Sequence, residues 1–225
     1  MPSLTSPTTA RATARSTIRF QPVVHLLAGD MLGVAVEEMV EFEERVSFGP
    51  VTGKTASMDP AAWLAERLVR VASAIWADGA QGRPILVPAP MAALVDQNTA
   101  VACDAAVRRT TLCQQEFCLV FSDAAFSAED VDSTSRVARL RKHGFRVGID
   151  MRRSWQTGLS DSMRLMIDTI RVDAGEIEQS AELQEIVAVA RSAGILVVAD
   201  NANWRDGSHL GSTGIDGAVA PRCDA

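Results

Sequence analysis

Residues 146–200 read RVGIDMRRSWQTGLSDSMRLMIDTIRVDAGEIEQSAELQEIVAVARSAGILVVAD, and three short apolar runs within them each end at or beside an aspartate. The runs cover residues 146–151, 169–173 and 195–200, and the aspartates are Asp150, Asp173 and Asp200. Strands covered on both faces read as near-continuous apolar runs rather than as alternations. The segments between them are helical in pattern. Residues 180–193 place Leu183, Ile186, Val187 and Ala190 on one face and stop at Gly194, which is the spacing and the terminator of an amphipathic helix. A shorter helix is predicted over 160–167. Strand, helix and strand repeated in this order build a parallel sheet covered by helices.

The same alternation extends outward. Residues 117–122 form a predicted strand, and Ser127 with Asp130 gives a capping-box-like start to a helix ending at Gly144. Further upstream, 84–87 is a short buried strand and 91–109 a helical stretch. Asp59 and Pro60 are the N-cap and first residue of a helix with Leu64, Leu68, Val71 and Ile75 at helical spacing. Two strands over 17–27 and 31–40 are joined by a turn at Gly29–Asp30, and so short a connection requires them to be antiparallel. A last strand is expected over 215–220. Seven or eight strands in 225 residues favour a closed barrel, with an open doubly wound sheet as the alternative. The predicted fold class is therefore α/β: a modified (β/α)8 TIM-like barrel with an antiparallel first strand. Residues 1–16 are expected to be a disordered tail and 17–225 one barrel domain.

Composition narrows the function. A net charge of −6 argues against a nucleic-acid polymer as partner, since phosphate neutralisation needs clustered Lys and Arg. No apolar run is long enough to span a bilayer, so no membrane role is expected. The tail has no apolar block of the kind a signal peptide needs. Cys103, Cys113, Cys118 and Cys223 have no C-x-x-C spacing and read as free thiols in a reducing cytoplasm.

In such a barrel, ligands meet the C-terminal strand ends. Asp150, Asp173 and Asp200 arise there from successive strands. Convergent carboxylates are candidates for a hard cation or a base; the plainer reading is that each caps the helix or loop after it, as Asp123 and Asp200 would do at little cost. His25, His143 and His209 are scattered without ligand spacing, and His143 suits a helix C-terminus. GPVTGKT at 49–55 has only three residues between its glycines, one short of a phosphate-binding loop, and reads as a chance match. Glu37, Glu38, Glu41, Glu43 and Glu44 read as a solvated acidic face.

The order of motifs resembles the EAL domain family. RFQPVVHL at 19–26 followed by GDMLG at 29–33 resembles that family's opening, roughly YQPIVDLxTGxxxGxEALxR. VGID at 147–150 is similar to the strand before DDFGTG, IRVD at 170–173 to LKID, AGILVVAD at 193–200 to LGxxVVAEGVE, and GID at 214–216 to the start of GCDxxQG. The resemblance spans about residues 17–220 and implies an EAL-like barrel. Active members hydrolyse cyclic di-GMP with two Mg or Mn ions held by Asp, Glu and Asn oxygens. Aligned in this way, the signature Glu falls on Ala35, with Val36 and Glu37 following. The phosphate-contacting Arg falls on Met39, the third-strand Asn on Pro88, and the Glu of EIT on Val120. Asp150 remains of the paired aspartates, with Met151 second; the catalytic Lys is Arg171; and the two Glu of EGVE are Asp200 and Asn203. The final QGY is lost near 219–221.

The resemblance therefore implies a degenerate member with no catalytic residue, no metal and no cofactor. Ala, Val, Met and Pro cannot ligate a hard cation, and Arg171 stays charged where a Lys has a tunable pKa. The expected function is a regulatory protein-interaction module in bacterial signalling, cytoplasmic, with a protein partner. A non-hydrolysing cyclic di-GMP receptor is the alternative, an active phosphodiesterase ranks lower, and an unrelated barrel enzyme using the three aspartates is a further competitor. The ligand-binding candidates are Gln21, Pro22, Asp150, Arg152, Arg153, Arg171 and Asp200, with Arg152 and Arg153 as a new anion site. Homodimerisation through helices, as in many members, is compatible with the sequence but not fixed by it.

Overall fold

The structure, a computed structural model, describes residues 17–39, 59–127, 132–156, 158–202 and 207–220. Eight strands close into one barrel in chain order: β1 (Thr17–His25), β2 (Met31–Met39), β3 (Ile85–Ala89), β4 (Phe117–Ser122), β5 (Arg146–Asp150), β6 (Thr169–Asp173), β7 (Leu196–Asp200) and β8 (Gly217–Val219). Strand β1 runs antiparallel to both β2 and β8, and every other neighbouring pair is parallel. The predicted barrel with its reversed first strand is the observed one. The reversal is made by the 25–30 turn, where Gly29 takes φ +74°. His25 Nδ1 accepts from the Leu27 and Ala28 amides there. Glycine enters that left-handed region without the Cβ penalty that other residues carry.

Among the described residues the helices are α1 (Pro60–Asp78), α2 (Met91–Val95), α3 (Thr99–Val107), α4 (Ala124–Ser127), α5 (Ser133–Lys142), α6 (Asp161–Arg164), α7 (Ala174–Gln179), α8 (Ala181–Ser192) and α9 (Gly207–Ser212). Asp59 caps α1 by accepting from the Ala61 amide, and Ser180 caps α8 through the Leu183 amide. These oxygens satisfy donors that have no partner within the helix.

The structure corrects several expectations. The helical stretch 91–109 is two helices, because Asp96 turns extended and its carboxylate takes the Asn98 amide in an Asx turn. The fifth helix is capped by Asp132, which accepts from the Ser135 amide; Asp130 of the expected capping box lies outside the described residues. Helices α7 and α9 fall in segments with no predicted element; both are six residues long, too short to show a helical period. The tail 1–16, the 49–55 segment and Glu41, Glu43 and Glu44 lie outside the described residues, as do Asn203 and Cys223. Cys103 and Cys118 are buried free thiols and Cys113 is half-buried; burial pushes the first two up to about 12. No described helix is long and apolar enough to cross a membrane.

Strand residues divide by parity, since successive side chains point to opposite faces. Ile85, Val87, Phe117, Leu119, Phe121, Val147, Ile149, Ile170, Val172, Val197 and Ala199 face the helices and join the main core. Val23, Ala35, Leu86, Cys118, Val120, Val198 and Val219 form a second, smaller cluster inside the barrel. The barrel interior is thus filled by small and medium side chains. Backbones also approach closely at the bottom of β2: a Cβ added to Gly33 would lie 2.6 Å from the Pro84 carbonyl oxygen. We predict that Gly33→Ala destabilises the fold by about 1–3 kcal/mol, the usual cost of overpacking. Urea denaturation of the variant beside the parent checks this.

Candidate functional site

The inward parity continues beyond the apolar cluster and turns polar at the C-terminal end of the parallel strands. Counting in twos, Ala35 leads to Glu37, Leu86 to Pro88, Gly148 to Asp150, Thr169 to Arg171 and Val198 to Asp200. On the reversed strand the matching position is Gln21, which pairs across from Ala35. These strand ends surround a cavity of roughly 660 Å³ whose lining includes Gln21, Glu37, Arg67, Pro88, Arg152, Arg171, Asp200 and Asn201.

Two arginines and two aspartates are locked together at one side of it. Arg171 is 4 % exposed. It donates from Nε to Asp200 Oδ2 at 3.0 Å and from Nη2 to Asp200 Oδ1 at 2.6 Å. Arg152 faces Asp150 with a second fork, Nε to Oδ1 at 2.9 Å and Nη2 to Oδ2 at 2.6 Å. Its remaining Nη1 reaches Asp200 Oδ1 at 3.4 Å. Paired parallel hydrogen bonds of this kind are the strongest and most directional that a carboxylate accepts from a side chain. Burial alone would raise the Asp150 carboxyl; the hydrogen bonds and charge of Arg152, with Arg171 behind it, instead hold it below the ordinary carboxylate range. Arg152 is in turn raised by its bond to Asp150, against the opposing effect of burial.

The loop after β5 is fastened from a second point. Asp123, 1 % exposed, accepts from Ser154 Oγ at 2.8 Å and from the Gln156 amide at 2.9 Å. Asp123, which stands directly before α4, therefore holds the loop after β5. Asp173 does act as a cap, taking the Gly175 amide at 2.9 Å, and also accepts from Asn201 Nδ2 at 2.6 Å. Asn201 sits at φ +56°, the left-handed region that asparagine tolerates better than most residues. Met151 is fully buried in the core between barrel and helices, on the opposite side from Asp150.

Of the residues singled out in the sequence, Gln21, Arg152, Arg171 and Asp200 line the cavity, and Asp150 joins them through its bonds to Arg152. The structure does not bring in Pro22, which is absent from the cavity lining, or Arg153, which is exposed. Of the two neighbouring arginines expected to form an anion site, Arg152 is half-buried and lines the cavity, while Arg153 is exposed and outside its lining. His25 caps a turn, His143 lies 3.5 Å from Asp104, and His209 lies 3.6 Å from Glu178. None reaches the cavity. Glu37, read as part of a solvated acidic face, lines the cavity instead. Arg67 was also missed. Its guanidinium lies 5.1 Å from the centre of the Trp63 ring, a cation–π distance. Its spacing from Leu64 and Val71 already placed it on the buried face of α1. Among the described residues, no group of three or more His, Cys, Asp or Glu side chains is placed to hold a metal ion.

The family model for the EAL domain matches residues 8–203, and the chain belongs to that family. Solved structures share the fold. The PaMucR phosphodiesterase in its c-di-GMP complex has a TM-score of 0.70 at 19 % identity, covering 91 % of this chain and 89 % of that one. A standalone versatile EAL protein from Vibrio cholerae O395 in its c-di-GMP-bound form has 0.67 at 16 %, covering 92 % and 90 %. The EAL domain of Xanthomonas citri FimX in complex with c-diGMP has 0.62 at 17 %, covering 91 % and 85 %. At these identities the likeness establishes the fold. No curated protein matches the sequence.

The charge cluster can be probed in two ways. Arg171→Ala strands the Asp200 carboxylate in a largely buried site and destabilises by about 3–5 kcal/mol, the cost of breaking a buried pair from one side; chemical denaturation measures it. The second probe is pH. Because the folded Asp150 pKa lies below its unfolded value, its contribution is complete above the unfolded pKa of about 3.9. It is lost as pH falls from there through the lower folded pKa. Melting curves between neutral and strongly acid pH will show Asp150→Asn less stable at neutral pH, with a shallower acid-side loss than the parent.

Proposed function

We propose that this chain is a non-catalytic EAL domain that acts in bacterial signalling by associating with a protein partner. The observation that carries the reading is the pairing of the mouth carboxylates with guanidinium groups. The two-metal chemistry of the family's hydrolases needs several oxygen donors converging on divalent ions. The donor set here does not fit that need. Ala35, Pro88 and Val120 stand at three of the aligned donor positions and offer no side-chain oxygen. Asp150 and Asp200 each already accept two or more hydrogen bonds from arginine. Arg171 takes the place of the aligned lysine, and its planar guanidinium is a fixed hydrogen-bond donor rather than a lysine's compact amine.

Charge balance also favours a protein partner over a cyclic dinucleotide. Arg67, Arg152 and Arg171 are matched at the mouth by Glu37, Asp150 and Asp200. A ligand with two phosphates would have to draw a guanidinium away from a carboxylate that it already satisfies. Against this stands the second reading, a non-hydrolysing cyclic di-GMP receptor. Its support is the roughly 660 Å³ cavity lined by Gln21 and three arginines, together with neighbours whose structures carry that nucleotide. A cytoplasmic location and a homodimer are parts of the same proposal.

Chromatography of purified protein incubated with cyclic di-GMP and Mg or Mn tests the reading. No linear dinucleotide is expected, and sustained turnover overturns it. Titration calorimetry separates the two non-catalytic readings. Binding no tighter than about 100 µM, near −5.5 kcal/mol, is expected, and micromolar affinity establishes the receptor instead.

A further inference from the structure

Asp150 and Asp200 come from β5 and β7, on either side of β6, yet both reach a single positive centre. The Arg152 guanidinium touches Asp150 at 2.6 and 2.9 Å and Asp200 at 3.4 Å. Carboxylates from separate strands facing one cation, beside an open polar cavity, are what a divalent-ion site requires; here the cation is a side chain of the same chain. We infer that Arg152 is an intramolecular counter-ion that closes the Asp150–Asp200 pair to divalent metal, and that removing this one side chain opens the pair to cation binding. The inference rests on the reading that the mouth takes no metal as it stands.

The choice of Arg152 over Arg171 rests on position. Arg171 projects from the middle of the sheet, is almost fully enclosed, and touches Asp200 without touching Asp150. Arg152 stands on the loop after β5 with its side chain 35 % exposed, lines the cavity, and alone among the described residues bridges both carboxylates. Removing it leaves two negative groups facing a space that water can enter, while Arg171 continues to satisfy one side of Asp200. The loop itself keeps its second fastening through Asp123, Ser154 and Gln156. The site opened in this way has two carboxylates, with water completing the shell, a donor set suited to Mn or Mg.

Manganese titration followed by the electron paramagnetic resonance of free aqueous Mn tests the inference, with calorimetry as a second readout. The parent protein is expected to leave the free-ion signal unchanged through the millimolar range. Arg152→Ser is expected to bind at least about tenfold tighter, a change near 1.4 kcal/mol, and the gain disappears in Arg152→Ser combined with Asp150→Asn. Arg153→Ser removes the same charge from the next, exposed position and is expected to bind no better than the parent. Arg152→Gln keeps an amide donor without the charge; if circular dichroism shows Arg152→Ser unfolded, this variant carries the comparison. Manganese binding by the parent overturns both the inference and the reading of the mouth beneath it. A silent parent with a folded Arg152 variant that gains no binding overturns the inference alone, as does equal gain by Arg153→Ser.

Discussion

The mouth of this barrel is organised by one interaction: the alternation of carboxylate and guanidinium from Asp150 through Arg152 and Asp200 to Arg171. Four charges from β5, the loop after it, β6 and β7 satisfy one another with five side-chain hydrogen bonds of 2.6–3.4 Å. Buried ion pairs are poor sources of net stability, because desolvation offsets much of their attraction. Their consequence is asymmetric. Once such a cluster is built, any one member removed leaves another charged and enclosed, so the arrangement fixes geometry more firmly than it lowers energy. The three strand ends and the loop that carry it are tied into one unit.

That unit sits on a barrel whose own logic is apolar. Inside, Val23, Ala35, Leu86, Cys118, Val120, Val198 and Val219 fill the lower layer, and from Val23, Ala35 and Val198 the polar layer begins two residues further along, at Gln21, Glu37 and Asp200. The period-2 geometry of a strand thus carries the chain from packing to chemistry in one step. On β4 the apolar layer rises one level, through Cys118 and Val120. Where the aligned position holds Asp150, Arg171 or Asp200, the charge cluster begins. The fold is that of the family, and one scaffold of this kind can support unlike functions through the residues at its mouth.

Much of this was legible in the chain. The apolar runs ending at Asp150, Asp173 and Asp200 favoured a closed barrel over an open sheet, and the turn at Gly29–Asp30 made the first two strands antiparallel. The site was legible only in part. Asp150 and Asp200 were found because strand ends are where ligands meet such barrels, and Arg171 because it falls on the family's lysine in the resemblance, but their pairing was not, since hydrogen bonds between β6 and β7 side chains leave no trace in spacing. The same limit hid the contrast between Arg152, turned inward to two carboxylates, and Arg153, turned out to solvent. Glu37 was lost among its acidic neighbours, although parity from Ala35 placed it inward. Asp123 looked like an inexpensive cap, and its further part as the buried anchor of a loop more than thirty residues away in sequence left no local signal.

The central claim is that a side-chain cation occupies the place a divalent ion would need. Diffraction from crystals of the parent protein grown in millimolar manganese, recorded at the manganese absorption edge, tests it most directly. The account predicts Arg152 within hydrogen-bond reach of both Asp150 and Asp200, with no anomalous peak between the two carboxylates. An anomalous peak there, with the Arg152 guanidinium displaced from it, contradicts the account.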